Sequence, residues 1–244
     1  MFSFEPLKIL VMKKLVGLML LLGVFQLSAQ TNAELVKHFE AYYIQMKTQG
    51  DMQGVINALT HLNVLQPNNQ ARKDTLATLY MNDRRHVQAL NTIGIEVNEN
   101  DSDMALEVKA ISLQALGEIE RALEHFEILF KRNPNVLIAY EMADIKIQLN
   151  KLEEASTNIE YGIANSTPET MRAFYETQQP YQVPTRAAFN YLKGLIKFKE
   201  NPETNIDAAV GLLDVALALA PNFNLATISK QALLSQKESA TKED

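Results

Sequence analysis

The sequence has no cysteine and no tryptophan, few glycines (9) and prolines (8), and fewer basic than acidic side chains, 23 against 29 in 244 residues. Without cysteine there is no disulfide, thiolate nucleophile, zinc ribbon, iron–sulfur cluster or cysteine-linked lipid. The basic shortfall, with a net charge of −6 and a pI near 5.4, argues against a nucleic-acid binder, whose footprint is a basic face. There is no Gly-x-Gly-x-x-Gly turn, Walker loop or Gly-x-Ser-x-Gly elbow. His38, His61, His86 and His125 stand apart, without HxxxH or HExxH spacing, so the sequence indicates neither a metal nor any other cofactor. Carboxylate pairs such as Glu153-Glu154 and Glu118/Glu120 read as solvated charges on helix surfaces. These absences point to a non-enzymatic protein. What is abundant is Leu, Ala, Glu, Lys and Gln, a helical composition, with 47% hydrophobic residues to supply a core.

The amino terminus differs from the rest. Met12-Lys13-Lys14 is a short basic segment, Leu15 to Phe25 is an apolar run, and Gln26 to Gln30 ends in small and polar residues. That three-part layout is expected of a secretory signal peptide over residues 1–30, with Met12 as the natural start and cleavage beside Ala29 or Gln30. The apolar run is too short for a membrane span, which takes roughly 20 residues. The absent cysteine excludes a lipoprotein. The processed chain should therefore be periplasmic or secreted, with no membrane span of its own. Loss of residues 1–30 removes three lysines and one glutamate and moves the net charge from −6 to −8. The Ser-Ala-Gln ending resembles signal peptides of the Bacteroidetes.

One pattern recurs along the remaining chain. A turn residue is followed five positions later by a small or β-branched residue, four later by a large apolar one, and eight later by proline. It occurs as Gly50, Val55, Leu59, Pro67 and again as Gly117, Ala122, Phe126, Pro134. Between them lie Arg84, Ala89 and Ile93; after them come Asn150, Ala155 and Ile159, then Ala209, Leu213, Ala216 and Pro221. The period is about 34 residues, the signature of a stacked repeat. Antiparallel helices approach closely only where a side chain is small. Ala89, Ala122 and Ala155 therefore mark helix crossings, with Leu59, Ile93 and Phe126 filling the space beneath. Proline follows the second helix of a pair, where it no longer interrupts a hydrogen-bond ladder.

Gly-Glu-Ile-Glu-Arg-Ala-Leu-Glu-His-Phe (117–126) resembles the turn and second helix of the tetratricopeptide repeat (TPR). Leu76-Ala77 with Tyr80, Met142-Ala143 and Gly194 are similar to its first-helix small and aromatic positions, over roughly residues 33–222. Val55 in place of alanine, Tyr43 at a small site and Lys109 ahead of Ala110 depart from the pattern. The resemblance implies an all-α, right-handed solenoid of antiparallel helix pairs with a concave groove lined by the first helices. The expected helices are 33–48, 52–65, 70–82, 85–98, 103–116, 118–131, 136–149 and 151–164, which make four pairs within residues 31–164. A fifth pair is expected within 185–222, as 185–199 and 205–219. Residues 223–244 should hold a capping helix, with Leu225, Ile228, Ala232 and Leu233 as its apolar face, and a frayed tail.

Residues 165–184 break the period as an irregular insertion. Thr167-Pro168-Glu169 reads as the start of a short helix to about 178, and the two prolines make 179–184 extended. Phe174, Tyr175 and Tyr181 are either exposed anchors for a partner or a seal between repeats.

Projected onto the groove, the first helices contribute Lys37, Glu40, Ile44 and Lys47, then Asp74, Thr78 and Met81. They further contribute Glu107, Ile111 and Gln114, then Tyr140, Asp144 and Ile147, and finally Tyr191. Acids oppose a carboxylate-tail clamp of the kind some TPR proteins use and favour a basic or mixed apolar segment of another protein. The expected function is an exported scaffold or adaptor that holds another envelope protein. The alternatives are a self-assembling structural component and a hydrolase with an unrecognised carboxylate site. Export predicts that N-terminal sequencing of the envelope-associated protein reads from Gln30 or Thr31. A chain still beginning at Met12 would contradict it.

Overall fold

One recurring turn joins the helices in pairs. A computed structural model describes residues 31–243, so the signal-like segment lies outside the described residues. The helices are α1 (Asn32–Gln49), α2 (Met52–Leu65), α3 (Gln70–Asn82), α4 (His86–Ile93), α5 (Asp103–Ala115), α6 (Ile119–Arg132), α7 (Val136–Gln148) and α8 (Leu152–Asn165). A hairpin of β1 (Met171–Phe174) and β2 (Tyr181–Pro184) follows, then α9 (Thr185–Glu200), α10 (Ile206–Leu219) and α11 (Asn224–Glu243). After α1, α3, α5 and α7 the chain turns at Gly50, Arg84, Gly117 and Asn150, all with positive φ, between 58° and 85°. At each turn two backbone hydrogen bonds close back on the helix, for example Gly117 N–H to the Gln114 carbonyl at 3.1 Å and Glu118 N–H to the Leu113 carbonyl at 2.9 Å. This left-handed closure satisfies the last carbonyls of the first helix and sends the second helix back antiparallel.

The chain divides into two units, Met1–Leu76 and Ala77–Asp244. In the first, α1 begins with a capping box between Thr31 and Glu34 and packs along α2. Val55, Ile56, Ala58, Leu59 and Leu62 of α2 are buried. Phe39 of α1 stacks on His61 of α2, with ring centroids 4.3 Å apart. Gly54 faces Met46 of α1 closely: a Cβ there would lie 2.5 Å from the Met46 sulfur, so the methionine side chain would have to shift.

In the second unit Ala89, Ala122, Ala143, Ala155 and Ala209 are fully buried, and Phe126, Ile159 and Leu213 fill the space around them. Ile93 is only half-buried, against Ala77, Ala89 and Val108. Successive helices pack α5 on α6, α7 on α8 and α9 on α10, and each pair touches the next. Helix α4 ends at Ile93 rather than near residue 98, because Gly94 leaves the helix with φ 83° and ψ 175°. Residues 94–102 form a loop held by two buried polar groups, Lys109 and His125, and by the exposed Arg132. The Lys109 ammonium pairs with Asp101 and donates to the Glu96 carbonyl at 2.9 Å. Arg132 donates to the Asp101 carbonyl and to Asp103, at 2.8 and 2.9 Å. His125, fully buried, meets the Ile95 carbonyl through Nε2 at 3.2 Å, and burial lowers its pKa below the ordinary 6.5.

The insertion is a hairpin: the short helix expected to about residue 178 does not form, whereas the expected extended stretch supplies the second strand, β2. Thr167-Pro168-Glu169-Thr170 makes a single turn, closed by Thr170 N–H to the Thr167 carbonyl at 3.1 Å, and the chain then extends. In Met-Arg-Ala-Phe, alternation puts Arg172 and Phe174 on one face and Met171 and Ala173 on the other. Burial of that first face outweighs the helix-start signal. In the capping helix Ala226 and Leu233 are buried while Ile228 is exposed, so the apolar face is rotated from the expected one. Lys230 and Lys237 tie α11 to Asp214 and Asp207 of α10.

Helices α8 and α9 approach closely at Gly162, where a Cβ would come within 2.0 Å of the buried Phe189 ring. Gly162→Ala should therefore lower stability in urea denaturation by about 1–3 kcal/mol, and Phe189→Leu in the same chain should recover part of the loss. Unchanged or raised stability, as the ~1 kcal/mol helix-propensity gain alone would give, would contradict this packing.

Candidate binding groove

The groove belongs to the second unit. A cavity of about 870 Å³ is walled by first helices and by the hairpin. Thr78 comes from α3, with Met104, Glu107, Ile111 and Gln114 from α5 and Leu137, Ile138 and Glu141 from α7. The hairpin adds Met171, Arg172, Ala173, Tyr175 and Gln182. Helix period explains the wall: Met104, Glu107, Ile111 and Gln114 recur three or four residues apart along one face of α5, beside its buried Leu106, Ala110 and Leu113.

Arg172 fixes the hairpin to this wall. Its guanidinium lies over the Tyr140 ring at 3.9 Å and near the Phe174 ring at 5.2 Å, and its Nη1 donates to Glu141 Oε1. Gln114 Nε2 donates to the other oxygen of Glu141 at 3.2 Å, which joins α5, α7 and β1 in one polar chain. The hairpin's far side is held by Asn222, which donates to the Gln182 carbonyl at 3.3 Å, and by Phe174 against the Phe223 ring at 4.9 Å.

Charge along the wall is mostly negative. Three carboxylates, Asp103, Glu107 and Glu141, face one guanidinium. Asp103 is engaged by Arg132 and Asn133, and Glu141 by Arg172 and Gln114; Glu107 has no such partner among the described residues. Apolar surface accompanies the acids: Met104, Leu137, Met171 and Tyr175 are exposed, Tyr175 at 66%. Among the described residues no three His, Asp or Glu side chains are grouped to hold a metal, and no described helix is long and apolar enough to cross a membrane.

Of the residues projected from the sequence, Thr78, Glu107, Ile111, Gln114 and Tyr175 come together in this cavity. Glu40, Ile44 and Lys47 are exposed on α1 in the first unit, where Asp74 is buried and accepts from Gln70 at 2.7 Å. Met81 packs against Ala77, Ala89 and Val108. Tyr140 and Ile147, each 3% exposed, and Phe174, 6% exposed, are core residues and not groove contacts. The reason is local: the hairpin covers α7 there, so Tyr140 lies beneath Arg172 and against Phe189. Tyr181 is half-buried and donates to Glu176. Tyr191 packs on Phe223 at 5.2 Å, and burial raises its pKa. Sequence reasoning missed Met104, Leu137, Glu141 and Arg172. Leu137 was accessible by adding one period to Met104, whereas the Glu141–Arg172 pair joins positions with no shared pattern.

Three solved structures share this architecture. A tetratricopeptide repeat protein from Parabacteroides merdae aligns over 86% of this chain and 76% of its own, at 16% identity and TM-score 0.62. YrrB, described as a TPR protein with an unusual peptide-binding site, aligns over 84% of this chain and all of its own, at 13% identity and TM-score 0.61. MamA aligns over 76% of this chain and 92% of its own, at 16% identity and TM-score 0.58. The fold is that of the tetratricopeptide repeat. No protein-family model and no curated protein matches the sequence.

Asp144 stands beside the hairpin seat, accepting from Gln148 at 3.0 Å. Burial, then the Glu141 charge, raises its pKa above the ordinary 3.8, against the pull of Arg172. A carboxyl with a raised folded-state pKa favours the fold while protonated and loses that contribution as pH rises through the folded value. Asp144→Asn should therefore raise the thermal midpoint at pH 7, and the gain should shrink as pH falls through that value. A gain that is absent at neutral pH, or equal at every pH, would contradict the assignment.

Proposed function

We propose that this protein is an exported scaffold that holds a basic, partly apolar segment of another envelope protein in the groove of its second unit. The observation that carries the proposal is the wall itself: exposed Met104, Leu137, Met171 and Tyr175 interleaved with carboxylates, of which Glu107 has no ion-pair partner among the described residues. Such a surface offers apolar burial to an incoming segment and attracts positive charge. The TPR fold supports a role in protein–protein interaction, and YrrB is described as having a peptide-binding site. Export rests on the basic segment, apolar run and small-residue exit of residues 12–30. A hydrolase would need free acids facing one another. Here Asp103 and Glu141 are each occupied by a guanidinium, which supports binding over catalysis.

The test compares capture from native envelope extract by the wild-type chain and by Glu107→Lys combined with Leu137→Asp. Both side chains are exposed, so the variant should keep its helical circular dichroism and melting midpoint. A protein bound by the wild type should be lost by the variant. If the same protein is retained in equal amount, the groove is not the binding surface.

A further inference from the structure

The hairpin wall holds a feature that a groove made of helices alone would lack. The register pairs Met171 with Pro184, Arg172 with Val183, Ala173 with Gln182 and Phe174 with Tyr181. Thr185 N–H donates to the Thr170 carbonyl at 2.8 Å, so the next pair outward is a hydrogen-bonded one. Antiparallel pairs alternate, which makes Arg172–Val183 and Phe174–Tyr181 the bonded pairs and Met171–Pro184 and Ala173–Gln182 the non-bonded ones. Two independent details agree. Pro184, which has no N–H, sits at a non-bonded position, and the Gln182 carbonyl points away from β1 to accept from Asn222.

The backbone groups of Met171 and Ala173 therefore point away from β2, out of the free edge of β1. The sheet has only these two strands, and none of those four groups has a hydrogen-bond partner among the described residues. Met171, Arg172 and Ala173 all line the cavity, whereas β2 contributes only Gln182. An open strand edge thus stands beside an acidic, apolar groove.

We propose that the groove takes its partner as an added β-strand: an extended segment pairs with the free edge of β1 through Met171 and Ala173. Its basic side chains reach toward Glu107, and its apolar ones lie on Met104, Leu137 and Met171. Main-chain pairing provides affinity without regard to sequence, and the acids and apolar side chains select the segment. The edge is only four residues long, and Arg172 is engaged on its inner face, so it is protected from indiscriminate pairing. The inference rests on the groove reading above and adds the conformation of the partner, which must be extended and not helical.

The probe is a synthetic capped peptide of alternating lysine and valine, titrated against the full chain by calorimetry. Binding should occur and should fail for the same peptide with glutamate in place of lysine. Ala173→Pro removes one edge N–H and places a ring where the added strand would run, yet it leaves the β1–β2 ladder intact. Its affinity should fall by at least about tenfold. Amide exchange at Met171 and Ala173 of the wild type should slow on binding. If Ala173→Pro binds unchanged, or those amides keep their exchange rates, strand addition is wrong while the groove reading stands. If the lysine–valine peptide does not bind at all, both fail.

Discussion

Close approach of helices at small side chains is the constraint on which the rest of the structure depends. Ala89, Ala122, Ala155 and Ala209 are fully buried where second helices cross their partners, and Gly162 and Gly194 let neighbouring aromatic and aliphatic side chains press onto backbone. A larger residue at any of these points would push the pair apart and lose contacts along both helices. The left-handed turns complete the constraint by fixing where each second helix begins. Glycine adopts that conformation without strain at Gly50 and Gly117, and asparagine tolerates it at Asn150. Arg84 pays the steric cost of a Cβ there and is retained because the same pair of backbone bonds still forms.

The hairpin converts this regular stack into a specific surface. Its seat combines one guanidinium, one aromatic face and one carboxylate: Arg172, Tyr140 and Glu141. Removing Arg172 from water is costly, and the cost is offset only because its charge meets Glu141 while its plane lies against Tyr140. A lysine could not make both contacts with one group. The arrangement buries Tyr140, leaves Asp144 partly desolvated and directs the outer face of β1 to the cavity. The proposed binding function depends on this seat, because without it the groove would have no sheet wall.

The repeat was legible in the sequence because it recurs at a fixed spacing, so Ala122 and Phe126 could be placed by analogy with Val55 and Leu59. The hairpin was not. Thr167-Pro168-Glu169 carries a helix-start signal, the four-residue alternation around Arg172 is too brief to overrule it, and its partner strand follows only after Pro180. The groove was half legible for the same reason. Thr78, Glu107, Ile111 and Gln114 follow from the period, but projecting it one repeat further gives Tyr140, which the hairpin covers. The early end of α4 had a visible sign in Gly94. The buried Lys109, which departs from the TPR pattern, became intelligible only once Asp101 and the Glu96 carbonyl stood beside it.

The central claim is that the hairpin is a fixed wall of the groove, set before any partner arrives. Hydrogen exchange at the ladder amides of Arg172, Phe174, Tyr181 and Val183, measured on the full chain without ligand, tests it most directly. A fixed wall predicts that these amides are protected and exchange with those of α7 and α9. Exchange as fast as in an unstructured peptide, with α7 and α9 still protected, would contradict it.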